Sequence, residues 1–321
     1  MTTQKSLFNK KVISTTEPSL FILDGNSYLH RAYHGYKNKP LTNHRGEYVT
    51  VVYGFLQTLG ADLAKLNPTH VCLCFDGQGK NWRHHDFPEY KANRTDVACV
   101  AYTDSNDANT DQQNAWVRKL MSELGFCVVY KRGVEGDDAV CSAVTAALPH
   151  KNVKVVLGAR DKDLCSLISD QVSMWDAIGG VMLDSKAVVA KHGVRPDQMS
   201  EYLGLMGDKI DNIPGCPGLG NVTAKKILSE FGTVKSFMQT LKRERDTCTN
   251  KLWVRMYDKI LDNRDGVKLS LELTKLRNTM DLDFDQFTID KPSKKVKPLL
   301  QEIGINKLHP WFSSHLIKIQ N

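Results

Sequence analysis

Apolar residues in this chain gather into short, unbroken runs that stop at an acid or a turn. Leu20-Phe21-Ile22-Leu23 ends at Asp24, Val71-Cys72-Leu73-Cys74-Phe75 ends at Asp76, and Val153-Lys154-Val155-Val156-Leu157 runs out shortly before Asp161. Residues 126–130 and 172–175 are further candidate strands. Continuous apolar runs of this length suit strands covered on both faces, as in a parallel sheet. Helical text lies between them at 26–34, 49–66, 112–124, 137–147 and 162–168. Strand and helix in alternation imply βαβ units, hence an α/β fold with a mostly parallel central sheet flanked by helices. From about Pro196 the pattern turns helical: 196–207, then 221–231, then most of 233–285, with one apolar run near Val267–Leu273. The expected organisation is a disordered arm at 1–18, an α/β core at 19–193 interrupted by a long polar segment at 77–111, a helical domain at 194–285, and a helical extension at 286–321 with an amphipathic stretch from Trp311 to Ile319.

Nine carboxylates stand where strands end or glycine turns begin: Asp24, Asp76, Glu135, Asp137, Asp138, Asp161, Asp163, Asp208 and Asp211. Ligands of open α/β sheets bind beyond the carboxyl ends of the strands, so acids delivered there by separate strands converge. Close like charges repel and raise one another's pKa unless a cation neutralises them. A hard divalent ion such as Mg²⁺ suits carboxylate and water oxygens. Each pair taken alone also has a structural explanation. Acids at the start of a helix, as in Glu135-Gly136-Asp137-Asp138, complement its dipole and cap its free N–H groups. Asp208 and Asp211, near the end of a helix, oppose that dipole and so ask for another reason.

Composition narrows the partners. The chain has 43 lysines and arginines against 36 acids, a net charge of +7. With nine acids in one cluster, the rest of the molecule is more basic than that figure suggests. An acidic pocket in a basic body fits an enzyme acting on nucleic acid. Eight cysteines are scattered singly, with no C-x-x-C pair to suggest zinc. No apolar stretch reaches membrane-spanning length, and residues 1–19 lack the apolar segment of a secretory signal. A cytoplasmic setting is expected, the host cytoplasm if the chain is of phage origin.

Several motifs then make the chain recognisable: Leu23-Asp24-Gly25 with Arg31-Ala32, Phe75-Asp76 with Arg83, Tyr90-Lys91-Ala92-Asn93-Arg94, Glu135-Gly136-Asp137-Asp138, and Asp161-Lys162-Asp163-Leu164. Gly207-Asp208-Lys209-Ile210-Asp211-Asn212-Ile213-Pro214-Gly215, followed by a glycine turn and Thr223-Ala224-Lys225-Lys226, completes the series. In this order, from about residue 20 to 285, they resemble the 5′-nuclease family, which includes the N-terminal domain of bacterial DNA polymerase I, phage 5′–3′ exonucleases and flap endonucleases. The resemblance implies a PIN-like core with a helix–three-turn–helix domain. It implies a Mg²⁺-dependent phosphodiester hydrolase acting as 5′–3′ exonuclease and flap endonuclease in replication or repair.

It also implies two ions, with Mn²⁺ as a substitute for Mg²⁺. Asp24, Asp76, Glu135, Asp137, Asp138 and Asp161 would surround one; Asp163, Asp208 and Asp211 would hold the other. Lys91 and Arg94, in an arch formed by 77–111, would act on the scissile phosphate, Arg31 and Arg83 would hold substrate phosphate, and Tyr90 would stack on an unpaired base. Gly215, Gly218 and Gly220, with Lys225 and Lys226, would grip duplex through backbone groups and charge, with a monovalent cation such as K⁺ at the turn. The implied partners are DNA with 5′ ends, flaps or nicks and RNA–DNA hybrids, bound by a monomer away from any membrane. Removal of RNA primers and non-catalytic junction binding are the alternative functions. Two features depart from the family pattern: Arg160 where a small residue is usual, and an acidic, Asn-rich stretch at 103–111 in place of a basic arch.

Overall fold

The computed structural model describes residues 18–36, 38–95 and 110–317. Residues 1–17 of the expected arm and 96–109 of the 77–111 segment lie outside them. All five expected strands are present: β1 (Ser19–Asp24), β2 (His70–Cys74), β3 (Cys127–Val129), β4 (Lys154–Gly158) and β5 (Val172–Asp176). They form one parallel sheet in the order β3-β2-β1-β4-β5, and a short antiparallel β6 (Val181–Leu183) is added at the β5 edge. Every residue of β1 is buried, as its unbroken apolar run requires of a central strand. Because β1 lies between β2 and β4, chain direction across the sheet reverses at β1/β4. Open sheets place their binding crevice at such a switch point.

In chain order the helices are α1 (Gly25–Tyr36), α2 (Thr50–Leu66), α3 (Trp82–Asp86), α4 (Thr110–Glu123), α5 (Gly136–Ala147) and α6 (Ser185–His192), followed by α7 (Met199–Met206), α8 (Asn221–Phe231), α9 (Val234–Glu244), α10 (Lys251–Asp262), α11 (Arg264–Leu273), α12 (Val296–Ile303) and α13 (Pro310–Ile317). None of these is long and apolar enough to cross a membrane. The helix expected at 162–168 is a 3₁₀ turn, Asp163–Leu167, and the one expected at 196–207 begins as a 3₁₀ turn, Pro196–Gln198, before α7. The apolar run at 267–273 belongs to α11.

Two apolar clusters cover the two faces of the sheet. On one, Phe21 and Leu23 meet Phe55 and Leu59 of α2 and Leu120 of α4; α12 and α13 close onto this face through Val296, Ile303 and Phe312. The C-terminal extension thus packs against the α/β core, with Trp311 stacked on Phe126 and His315 bonded to the Leu124 carbonyl at 3.0 Å. On the other face, Leu20, Ile22 and Val155 meet α5, and the same cluster continues into the helical domain through Leu203, Ile227, Phe237 and Met256. One hydrophobic core therefore fixes the helical domain relative to the strand ends.

Glycines bring those strand ends together. A Cβ on Gly77, just past β2, would lie 1.7 Å from the Lys131 carbonyl oxygen, and one on Gly25 would lie 2.4 Å from the Phe75 ring. Backbone cannot yield as a flexible side chain does. Gly77→Ala is therefore expected to lower unfolding stability by ~3 kcal/mol, the upper range for overpacking, measurable as a fall in the urea midpoint.

Candidate active site

The acids converge at the switch point. Asp24 ends β1, Asp76 follows β2, Asp137 opens α5, Asp161 and Asp163 follow β4, and Asp208 and Asp211 lie in the turn after α7. Electrostatic repulsion joins them into one group: Asp24 feels Asp76 and Asp161; Asp137 feels Asp161, Asp24, Asp163 and Asp76; and Asp163 feels Asp161, Asp211 and Asp208. Glu135 is brought in through Tyr90, whose hydroxyl lies 3.4 Å from both Glu135 and Asp211.

Each carboxylate is held in a definite orientation. Ser27 donates from its backbone N–H and its hydroxyl to Asp24. Asp76 accepts from Gly136 N–H at 2.6 Å and from the Asn26 amide, and its own N–H donates back to Asn26 Oδ1 at 3.2 Å. Asn26 was not singled out in the sequence; the only sign there was a polar residue two positions after Asp24. Asp161 accepts from Asp163 N–H at 2.9 Å.

This donor set fits a hard divalent cation. Asp163 Oδ1 is buried without a hydrogen-bond partner, a costly position for a carboxylate oxygen unless a cation faces it. Burial, followed by neighbouring charge, pushes the Asp163 carboxyl up to about 7. Burial likewise raises Asp24 to about 6, against the pull of Ser27, and drives Asp137 well above the ordinary range, with repulsion from Asp161 next. Among the described residues no three His, Cys, Asp or Glu side chains stand together as a group able to hold a metal ion; Mg²⁺ keeps several waters and needs few direct carboxylates.

The raised carboxyls set a pH dependence. Each binds its proton more tightly in the folded than in the unfolded chain, so their contribution to stability falls as pH rises from about 4 through the folded values near 6 and 7. In chelator, the melting temperature is expected to fall from pH 5.5 to pH 8, and Mg²⁺ should restore it chiefly at pH 8. Asp163→Asn should flatten both responses in scanning calorimetry.

Three expected site residues play other parts. Asp138 is 0% exposed; it accepts from Trp82 Nε1 at 2.7 Å, Arg83 at 2.9 and 3.1 Å and Arg277 N–H at 3.0 Å. Fully buried and paired with a guanidinium that is itself buried, it anchors the segment after β2 to the end of the helical domain. Arg83, 3% exposed, also reaches Glu135 and the carbonyls of Leu273 and Lys275, which removes it from any substrate phosphate. Tyr90 is 4% exposed and packed with Ile213 and Leu273, so its ring is not offered to a base. The sequence showed an aromatic and an arginine near basic residues but not the buried carboxylate that pairs with them.

Lys91 is tied tightly into the site. Its Nζ lies 2.5 Å from Glu135 Oε1, and its N–H donates to the Asp211 carbonyl at 3.0 Å. Asn93 and Asn212 add two crossed bonds between the same segments, to the carbonyls of Lys209 and Glu89. Lys91 has φ +57°, uncommon for a non-glycine residue, so its placement is imposed by this stitching. Burial would raise Glu135, but Lys91 and Arg83 outweigh it and hold the carboxyl below its usual value. The Arg94 side chain lies outside the described residues. Arg31 is half-buried on α1, 4.0 Å from buried Asp62, which Tyr28 and Trp175 also contact at 2.7 and 2.9 Å.

In the glycine turn the tight positions are Gly207 and Gly215, both at positive φ; a Cβ on Gly215 would lie 2.4 Å from the Gly207 nitrogen. Gly218 is also at positive φ, whereas Gly220 begins α8 with open space around it. Lys259 donates to the Gly218 carbonyl at 3.3 Å, so an ammonium of the chain already meets the turn where a monovalent cation was expected. Lys226 is exposed, and Lys225 lies 5.7 Å from the Tyr202 ring centre.

A doubly wound core with an acid crevice at its switch point, closed by a helical domain carrying a glycine turn, is the fold of the 5′ nucleases. Residues 19–193 match the 5′-3′ exonuclease N-terminal resolvase-like domain, and residues 194–295 the 5′-3′ exonuclease C-terminal SAM fold. The chain belongs to the 5′-3′ exonuclease family. It is 30% identical to thermostable DNA polymerase I of Thermus aquaticus over 290 residues, 90% of this chain but 32% of that protein. It is 27% identical to a 5′-3′ exonuclease of Aquifex aeolicus (strain VF5) over 294 residues, 90% of this chain and 93% of that one. The chain thus spans about a third of its polymerase relative and nearly all of the exonuclease. The bacteriophage T5 flap endonuclease, solved in a complex with DNA and metal ions, superposes with a TM-score of 0.64 at 20% identity, covering 94% of this chain and all of the other.

Proposed function

We propose that this chain is a structure-specific 5′ nuclease, hydrolysing phosphodiester bonds of DNA from 5′ ends and at 5′-flap junctions. It would act as a cytoplasmic monomer in replication or repair. The observation that carries this reading is the meeting of acids from five separate segments around the unpartnered, buried Asp163 Oδ1. A non-catalytic binder of DNA gains only repulsion from such a group. The T5 enzyme's complex with DNA and metal ions supports the same reading.

Asp24, Asp76, Glu135, Asp137 and Asp161 are proposed to hold one divalent ion, and Asp163, Asp208 and Asp211 the second, with Mg²⁺ as the physiological ion and Mn²⁺ as a substitute. Two such ions supply an activated water and stabilisation of the leaving oxygen. The chain's own residues do the rest. Lys91, fixed between Glu135 and the 207–213 turn, would present its ammonium to phosphate charge that grows in the transition state, and Arg94 would share that role. Arg31 would meet phosphate from α1. The turn at Gly215 to Gly220, with Lys225 and Lys226, would hold duplex by its phosphates without reading bases.

The test uses a 5′-labelled flap, a nicked duplex and a single strand, each with DNA or RNA as the 5′ strand, with and without Mg²⁺. Short 5′ products from flap and nick, only with Mg²⁺, are expected. Tight binding with no Mg²⁺-stimulated cleavage on any substrate would overturn the proposal, and cleavage confined to the RNA strand would move the substrate to primers.

A further inference from the structure

Lys162 lies between two of the acids, Asp161 and Asp163, yet it reaches across the site to a third. Its Nζ is 2.7 Å from Asp208 Oδ2, linking the exit of β4 to the turn after α7. The two oxygens of Asp208 are unequal. Oδ1 is held by the backbone N–H groups of Ile210 at 2.8 Å and Asp211 at 3.4 Å, while Oδ2 is held by Lys162. Any cation that takes Asp208 through Oδ2 must therefore displace the ammonium. The lysine can leave, because its side chain is 43% exposed whereas that of Asp208 is 13% exposed. A half-exposed ion pair is weak enough to exchange, and a divalent ion bears twice the charge.

We propose that Lys162 is an exchangeable counter-cation of the second acid group: it competes with the divalent ion for Asp208 and, once displaced, becomes a phosphate contact for the substrate. The inference rests on the two-ion reading given above. It makes ion entry and DNA binding cooperative, since the second ion frees a positive charge at the crevice only as it takes over the neutralisation of Asp208. Lys91 makes a similar bond to Glu135. Glu135, however, is also held by Arg83 at its other oxygen, so displacing Lys91 would still leave that carboxylate paired. Lys162 alone, among the described cations, spans from the Asp161–Asp163 segment to Asp208.

The experiment is calorimetric titration of Mn²⁺ into wild type, Lys162→Met, Lys162→Arg and Asp208→Asn. The Asp208→Asn variant identifies the binding step that belongs to the second group. Lys162→Met, which keeps the stem and loses the charge, should tighten that step by roughly twofold to fivefold, the range a half-exposed ion pair supports. Lys162→Arg should not tighten it. Flap DNA binding, followed by anisotropy, should weaken in Lys162→Met with Ca²⁺ present but not in chelator. An unchanged or weakened second step in Lys162→Met overturns the inference and leaves the two-ion reading intact. A wild type with no step lost in Asp208→Asn overturns that reading, and this inference with it.

Discussion

Asp161→Asn should lower Mg²⁺-dependent cleavage by about a thousandfold or more, equivalent to ~4 kcal/mol of transition-state stabilisation, while leaving the protein folded. Asp161 stands at the centre of the repulsion network, felt by Asp24, Asp137 and Asp163. Removing its charge relieves those neighbours, so the variant should melt no lower than wild type in chelator and should bind flap DNA at least as well there. The bond it accepts from Asp163 N–H at Oδ1 survives because an asparagine carbonyl also accepts. Asp76→Asn should be as inactive but is a less clean test. Asp76 accepts at both oxygens, from Gly136 and from Asn26, and an amide nitrogen cannot accept. Single-turnover rates on a nicked flap, with calorimetry on the same preparations, provide the check. A wild-type rate in folded Asp161→Asn would remove this residue from the chemistry.

The sheet was readable because its strands are central. β1, β2 and β4 are covered on both faces, so their apolar runs are unbroken and their ends are marked by acids. β6 escaped notice because three edge residues, Val181–Leu183, of which only Leu183 is buried, are too few to carry a pattern. α6 escaped for a similar reason: only Ala187 and Val188 are buried, so no apolar stripe repeats along it. Convergence of the acids followed from strand ends meeting at one edge of a parallel sheet. What could not be read was which carboxylates face that crevice. Asp137 and Asp138 are adjacent in sequence, but one step along a helix turns a side chain by about 100°. Asp137 thereby joins the crevice acids, whereas Asp138 turns to Arg83, Trp82 and Arg277. The partners of Asp138 come from positions 82, 83 and 277, and no local pattern joins them. The same long-range network buried Arg83 and Tyr90, whose sequence context had suggested contact with substrate. Lys162 was overlooked for the opposite reason: a lysine between two aspartates reads as local charge balance, and its real partner lies 46 residues away.

Lys91→Ala is expected to reduce the single-turnover rate by roughly a hundredfold or more, the scale of losing one preorganised charge donor at a reacting phosphate. Flap affinity should change little, since one phosphate contact among many is lost. Lys91 pays for its position with a left-handed backbone at φ +57°, and alanine is no better suited to that conformation. Lys91→Gly relieves it, so the glycine variant should be at least as stable as the alanine variant while sharing its kinetic defect. That pairing separates backbone strain from loss of the ammonium. Deleting the side chain also removes one of two cations from Glu135, whose carboxyl should then titrate at a higher pH, with Arg83 remaining at 2.6 Å. Lys91→Arg keeps a charge but presents it as a bulkier planar fork on a shorter aliphatic stem, and should recover only part of the rate. A defect confined to affinity, with an unchanged single-turnover rate at saturating enzyme, would make Lys91 a positioning residue for the substrate and leave transition-state charge to the acid-bound ions and Arg94.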